Sequence, residues 1–298
     1  MYLSIKLKDA FLKYIEFIFQ EAVHGGYLTA LGAPALVLTT IILTNSKINI
    51  PLLIISYLLP LIVYSFDYMR DLDKDNETNL ERSNHLYKKK KYYPVILFAY
   101  AVLLLTLLLL YTNFKLILFI ILITIGGLLY ATALKGLTKK IPIFKNIYTV
   151  LTWSLGGTLF VSLFYSITFS LSFLIVFIFI NFKGMINAIF FDFKDHLADS
   201  KEGLKTLPVL LGKKGALQLL HVLNFVAFIP LIIGIYLKIL PLISLVLIIF
   251  FFYSFYYLRM AQNPKNQDIW VKLGSIADFE FIFWPIILIT SLMFIKLI

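Results

Sequence analysis

Six aspartates carry the most specific chemistry in this sequence. They form two triplets, Asp67, Asp71 and Asp75 in the first half of the chain and Asp192, Asp195 and Asp199 in the second. Steps of three and four residues set side chains on one face of a helix. Carboxylates held that close repel one another and retain protons unless cations neutralise them. Mg2+ suits such a set, because it takes carboxylate and phosphate oxygens and is usually shared between protein acids and substrate phosphates. Mn2+ is the natural substitute. Two such helix ends facing each other would grip a diphosphate between bridging ions. A single triplet reads more simply as a solvated helix end. Two triplets, each at the mouth of a long apolar run, favour a shared metal–phosphate site. Asp73 lies off the first stripe and reads as a solvated loop acid.

The elements that must position these acids are apolar. Of 298 residues, 60% are hydrophobic and only 14% charged, with 28 Phe and 18 Tyr. The mean hydropathy is +0.90. A soluble domain carries roughly 25% charged residues, so the composition excludes one and implies an all-α polytopic membrane protein. Cysteine is absent, which excludes disulfides and thiolate metal sites. The net charge of +11 fits loops facing anionic lipid and substrate, not nucleic acid. The first 21 residues mix charge with apolar residues, including Glu16 and Glu21. They read as an interfacial helix and not as a cleaved leader.

Apolar stretches of about 20 residues predict nine spans, at 22–44, 48–67, 92–112, 115–134, 146–165, 168–190, 216–237, 239–258 and 277–297, around a central cavity. With the N-terminus inside, only Lys47, Lys115, Lys238 and Lys296 fall outside, leaving 23 of the 27 basic residues on the inner face. This asymmetry supports a cytoplasmic N-terminus, an odd number of spans and a site facing the cytoplasm of a cell-membrane protein. The chain reads as a single domain, 1–298, with cap loops at 68–91 and 191–215, each opening on an acidic triplet. Gly126-Gly127 and Gly156-Gly157 read as close helix approaches.

Basic side chains near the triplets would meet a phosphate. Arg82 follows the first, with a planar fork suited to phosphate oxygens. Lys139, Lys140 and Lys145 fall in the loop between the fourth and fifth spans and Lys205 follows the second triplet. Any one of these lysines reads more simply as topology charge. Gly203 to Pro208 should turn the chain and restart it. No phosphate-binding glycine loop, dinucleotide fingerprint or Ser/His/Asp arrangement occurs.

These residues resemble the motifs of the UbiA superfamily of intramembrane prenyltransferases. Its first motif, Asn-x-x-x-Asp-x-x-x-Asp followed by a loop Arg, is matched by Asp67, Asp71, Asp75 and Arg82, with Asp67 where Asn is usual. Its second, Asp-x-x-Asp-x-x-x-Asp followed by Gly, Lys-Thr and Pro, is matched by Asp192, Asp195, Asp199, Gly203, Lys205, Thr206 and Pro208. Tyr130, Lys139, Lys140, Pro142 and Asn146 resemble the Tyr and basic-Pro-Asn segment between them. The resemblance implies a nine-helix bundle and Mg2+-dependent transfer of a prenyl group from an isoprenyl diphosphate to a membrane-associated acceptor. That acceptor would be a quinone-precursor aromatic or an archaeal glycerophosphate lipid. All six aspartates would hold metal, and Arg82, Lys139, Lys140, Lys205, Tyr130 and Asn146 would serve the diphosphate. A phosphoalcohol transferase would instead show one compact Asp-rich signature. A divalent-cation transporter would bury its acids near mid-membrane.

Asp71→Ala or Asp195→Ala is expected to abolish diphosphate release from a prenyl diphosphate while the protein still inserts in membranes. Turnover like the wild type in both variants would contradict the assignment.

Overall fold

The computed structural model describes residue 14 and residues 20–70, 72, 80–132, 134–262 and 268–297. Asp71, Asp73, Asp75 and most of the expected interfacial helix lie outside the described residues. Every regular element among the described residues is helical. The principal helices are α1 (Tyr27–Leu43), α2 (Ile50–Arg70), α3 (Leu80–Tyr87), α4 (Tyr93–Tyr111), α5 (Phe114–Thr132), α6 (Phe144–Phe164), α7 (Leu171–Glu202) and α8 (Leu207–Tyr236). They end with α9 (Leu242–Met260) and α10 (Asp268–Leu297). Seven are long and apolar enough to cross a membrane, and α1 and α5 are shorter apolar helices. Each expected span overlaps one of these nine, so the chain is an all-α polytopic membrane protein.

The helices bury one face and offer the other to lipid. Helix α1 packs on α2, α6 and α10, and α7 packs between α6 and α8. One core joins Phe179, Phe228, Phe250 and Trp284 across α7 to α10. Another joins Ile41, Ile55, Leu108, Ile120 and Phe160 across α1, α2, α4, α5 and α6. On α4, Phe98 is 70% and Leu109 is 68% exposed. Such apolar surface has hydrocarbon as its natural solvent, because the helix has already paired its own backbone groups.

Three expectations change. The expected loop at 191–215 is mostly helix. Helix α7 continues to Glu202, where Gly203 caps it with φ 70, a conformation glycine adopts without penalty. Helix α8 then starts at Leu207 with Pro208 in its first turn, where a missing N–H costs nothing. Only 203–206 connects them, so Asp192, Asp195 and Asp199 all stand on rigid helix. The carboxylate spacing was itself the helical signal, and the polar composition obscured it.

The second change concerns Lys183, which counts among the inner-face charges in the topology argument. It is 1% exposed, inside α7. Its Nζ lies 2.6 Å from Glu280 Oε1 on α10 and donates to Asn224 Oδ1 on α8 at 3.2 Å and to Ser254 Oγ on α9. Ser254 Oγ lies 2.8 Å from Glu280 Oε2. An intramembrane charge is tolerated when paired, and this pair ties four helices. The third change is Gly156. A Cβ at Gly157 would press on Leu36 Cβ at 3.1 Å, as a close helix approach requires, but one at Gly156 meets nothing within 4 Å.

Glu21, in the helical stretch 20–24, meets His85 Nε2 of α3 at 2.9 Å and also Lys89. Burial, then the Lys88 charge, holds the His85 imidazole below its ordinary pKa. A carboxylate only accepts, so Nε2–H is the donor in this contact.

Lys183→Met or Glu280→Gln alone is expected to lower stability in detergent by about 3–5 kcal/mol, because each strands a buried partner. The double variant Lys183→Met/Glu280→Gln should lose less than the sum of the two single losses in thermal unfolding. Additive losses in the double variant would contradict the pairing.

Candidate functional site

The site begins where α6 meets α7. Ile143 precedes α6 in the left-handed conformation, which turns the chain so that Lys145 and Asn146 occupy the first helical turn. Both reach Asp192 on α7. Lys145 Nζ donates to Asp192 Oδ1 at 2.9 Å and Asn146 Nδ2 to Asp192 Oδ2 at 2.8 Å. Asp192 is fully buried, so its charge depends on these donors and on the positive end of α6. Lys145 is also within electrostatic reach of Asp199 and Asp195.

The connection after α7 is fastened to the loop before α6. Lys205 N–H donates to Thr138 O at 3.0 Å and Ile143 N–H donates to Lys205 O at 2.9 Å. These bonds fix the C-terminal end of α7 against the start of α6, which sets the position of the carboxylates between them.

A cavity of about 960 Å³ opens beside this junction, bounded mainly by α2, α5, α6 and α7. Its mouth carries both signs of charge. Asp67, Asp195, Asp199 and Glu202 supply carboxylates, and Arg70, Arg82, Lys139 and Lys145 supply cations. Arg70 Nη2 lies 3.3 Å from Asp67 Oδ1. The Arg82 guanidinium lies over the Tyr68 ring at 4.4 Å, a cation–π contact that aims its fork. Tyr130 and Tyr148 stack with ring centroids 4.7 Å apart and planes 8° from parallel. Tyr130 is within electrostatic reach of Lys145, Asp192 and Asp67, so the ends of α2 and α7 converge on it. Below this ring the walls turn apolar. Pro60 lies within α2 on the cavity wall, where it cannot donate a backbone hydrogen bond.

The residues singled out in sequence are distributed unevenly. Asp67, Asp195, Asp199, Arg82, Lys139 and Tyr130 line the cavity. Asp192 and Asn146 lie behind the wall, engaged with each other. Lys140 and Lys205 are exposed and are not among the described lining residues; Lys205 Nζ instead meets the Lys140 carbonyl at 3.4 Å. Asp71 and Asp75 lie outside the described residues. Sequence reasoning treated Lys145 as topology charge, although its place directly before Asn146 was a usable signal. It passed over Asp278, whose Oδ1 accepts from Asn187 Nδ2 at 3.1 Å within electrostatic reach of Tyr64 and Tyr68.

The donor set suits Mg2+. Asp67, Asp195 and Asp199 offer hard carboxylate oxygens, and the buried Asp199 Oδ2, with the Thr206 hydroxyl as its nearby polar neighbour, is an oxygen that a cation would satisfy. Among the described residues no three acidic or histidine side chains gather into a complete metal site. Phosphate oxygens of a ligand are suited to complete such a coordination.

The sequence profile of the UbiA prenyltransferase family matches residues 94–284, well over half of the chain. The chain belongs to that family. Among curated proteins none matches the sequence. Several solved structures share the fold. A UbiA homolog from Aeropyrum pernix K1, in its apo form, superposes with a TM-score of 0.66 at 15% identity, covering 91% of this chain and 98% of the other. A digeranylgeranylglyceryl phosphate synthase gives 0.56 at 18% identity, over 91% and 98% of the two chains. A UbiA homolog from Archaeoglobus fulgidus bound to GPP and Mg2+ gives 0.58 at 18% identity, over 88% and 96%. At such identities the likeness shows that this UbiA chain keeps the family's fold across nearly its whole length.

Lys145→Met leaves Asp192 buried with one donor fewer and is expected to cost about 3–5 kcal/mol of stability. Asp192→Asn should cost less, about 1–2 kcal/mol. Thermal unfolding of both and of the double variant should give a coupling of about 1–3 kcal/mol. A coupling near zero would contradict a structural Lys145–Asp192 bond.

Proposed function

We propose that this UbiA-family protein transfers a prenyl group from an isoprenyl diphosphate to a membrane-associated acceptor and releases diphosphate. The observation that carries the reading is a single cavity with a doubly charged mouth and an apolar depth. That is the inverse shape of a molecule with a charged head and a hydrocarbon tail. The asymmetry of basic residues supports a mouth facing the cytoplasm of the cell membrane.

Mg2+ would be held by Asp67, Asp195 and Asp199, with Asp71 and Asp75 as further donors, and when bound it neutralises charge on the diphosphate as the C–O bond breaks. Arg70, Arg82, Lys139 and Lys145 bind the remaining diphosphate oxygens. Asp192 holds Lys145 in place for that contact and does not itself face the ligand. The stacked rings of Tyr130 and Tyr148 sit at the border of mouth and trough. Their π-faces favour positive charge on the allylic carbon, and the apolar walls below keep water from capturing it. The bond that breaks joins C1 of the prenyl group to the bridging oxygen, and both electrons leave with the diphosphate. The acceptor supplies the electron pair for the new bond and loses a proton. An aromatic carbon of a quinone precursor or the hydroxyl of a glycerophosphate lipid would serve, and a screen with both classes separates them by product mass.

Purified protein is expected to release one diphosphate per prenyl group transferred. EDTA should abolish turnover, and Mg2+ or Mn2+ should restore it. Asp195→Asn and Asp199→Asn should each lower kcat by roughly 100-fold or more. Turnover indifferent to EDTA would contradict the proposal.

A further inference from the structure

The cavity continues inward from the charged mouth as a trough walled by single faces of three helices. On α6 the lining residues Tyr148, Thr152, Gly156 and Phe160 recur every four residues, the spacing of one helical face. On α2, Val63, Leu59 and Ser56 descend from Asp67, and on α5, Ile123 and Ile120 descend from Tyr130. At 1.5 Å per residue these faces run about 15–18 Å from the mouth to their last lining residue.

The trough has a floor. Phe160, Ile120 and Ser56 are only 1%, 2% and 3% exposed. Behind them Leu52, Leu116 and Val161 close the same core. Such a core is packed to crystal-like density and does not yield to a further hydrocarbon group. The lower part of the trough also depends on a missing side chain. Gly156 lines it, and a Cβ there meets nothing within 4 Å.

We infer that this chain gauges the length of its donor. The trough takes a tail of three or four isoprene units, Phe160 and Ile120 stop longer tails, and Gly156 keeps the lower trough open. Each isoprene unit adds four chain bonds of roughly 1.5 Å, which project to about 5 Å when extended. Three units fill the depth, and a fourth fits with a bend above the floor. This inference rests on the prenyl-transfer reading.

The test compares diphosphates of two, three, four, six and eight isoprene units with one acceptor, reading kcat/KM for each. The wild type should prefer three and four units over six and eight by about tenfold or more. Gly156→Leu should invert the ranking of two against four units, since its side chain enters empty space and shortens the trough. Phe160→Ala should raise the relative use of six units. That variant removes a core ring and loses stability, so Gly156→Leu carries the test where Phe160→Ala fails to fold. Equal use of four and eight units by the wild type, or an unchanged ranking in folded Gly156→Leu, would overturn the length gauge while leaving prenyl transfer intact. Absence of turnover with every donor would overturn prenyl transfer and the gauge together.

Discussion

A carboxylate without water must have a partner, and the charged end of this bundle is arranged around that constraint. Asp192 is fully buried between α6 and α7, and Lys145 and Asn146 at the start of α6 supply its two hydrogen bonds. The contact does more than offset a desolvation cost. It sets how α6 meets α7, and α7 carries Asp195 and Asp199 to the cavity wall one and two turns further on. The backbone bonds of Lys205 to Thr138 and Ile143 hold the same junction from outside the helices. The buried pair therefore fixes the register in which Asp195 and Asp199 meet the cavity.

The same logic recurs away from the site. Lys183 and Glu280 place opposite charges among α7, α8, α9 and α10, where Asn224 and Ser254 complete the shell. Hydrocarbon packing alone leaves helices in lipid weakly specified, since lipid tails are as apolar as leucine. A polar contact with one geometry fixes which helix lies beside which. One network orders the half of the bundle formed by α7 to α10, and the Asp192 contact orders the half that holds the cavity.

Much of this was legible in the residues. Each of the nine apolar runs overlaps a helix among the described residues, since backbone groups in lipid must pair internally and an α-helix does so within one segment, and the spacing of Asp192, Asp195 and Asp199 marked the helical end of α7. Other features were not legible. The helix through 191–202 was hidden because its charged composition resembles a loop, and composition does not report backbone pairing. Lys183 looked like one more inner-face charge, since its partner Glu280 lies 97 positions away in the chain. The division of labour within the second triplet also needed coordinates. Asp192, Asp195 and Asp199 share a pattern, but the neighbouring α6 takes the first and leaves the other two to the cavity.

The central claim is that the inner ends of α2 and α7 hold one diphosphate through shared cations. Electron paramagnetic resonance tests it most directly, with Mn2+ in place of Mg2+ and a non-reacting prenyl thiodiphosphate as ligand. The account predicts hyperfine coupling between Mn2+ and the ligand's phosphorus in the wild type, lost on changing either Asp67 or Asp195 to Asn. Mn2+ bound without phosphorus coupling, or coupling that survives both substitutions, would contradict it.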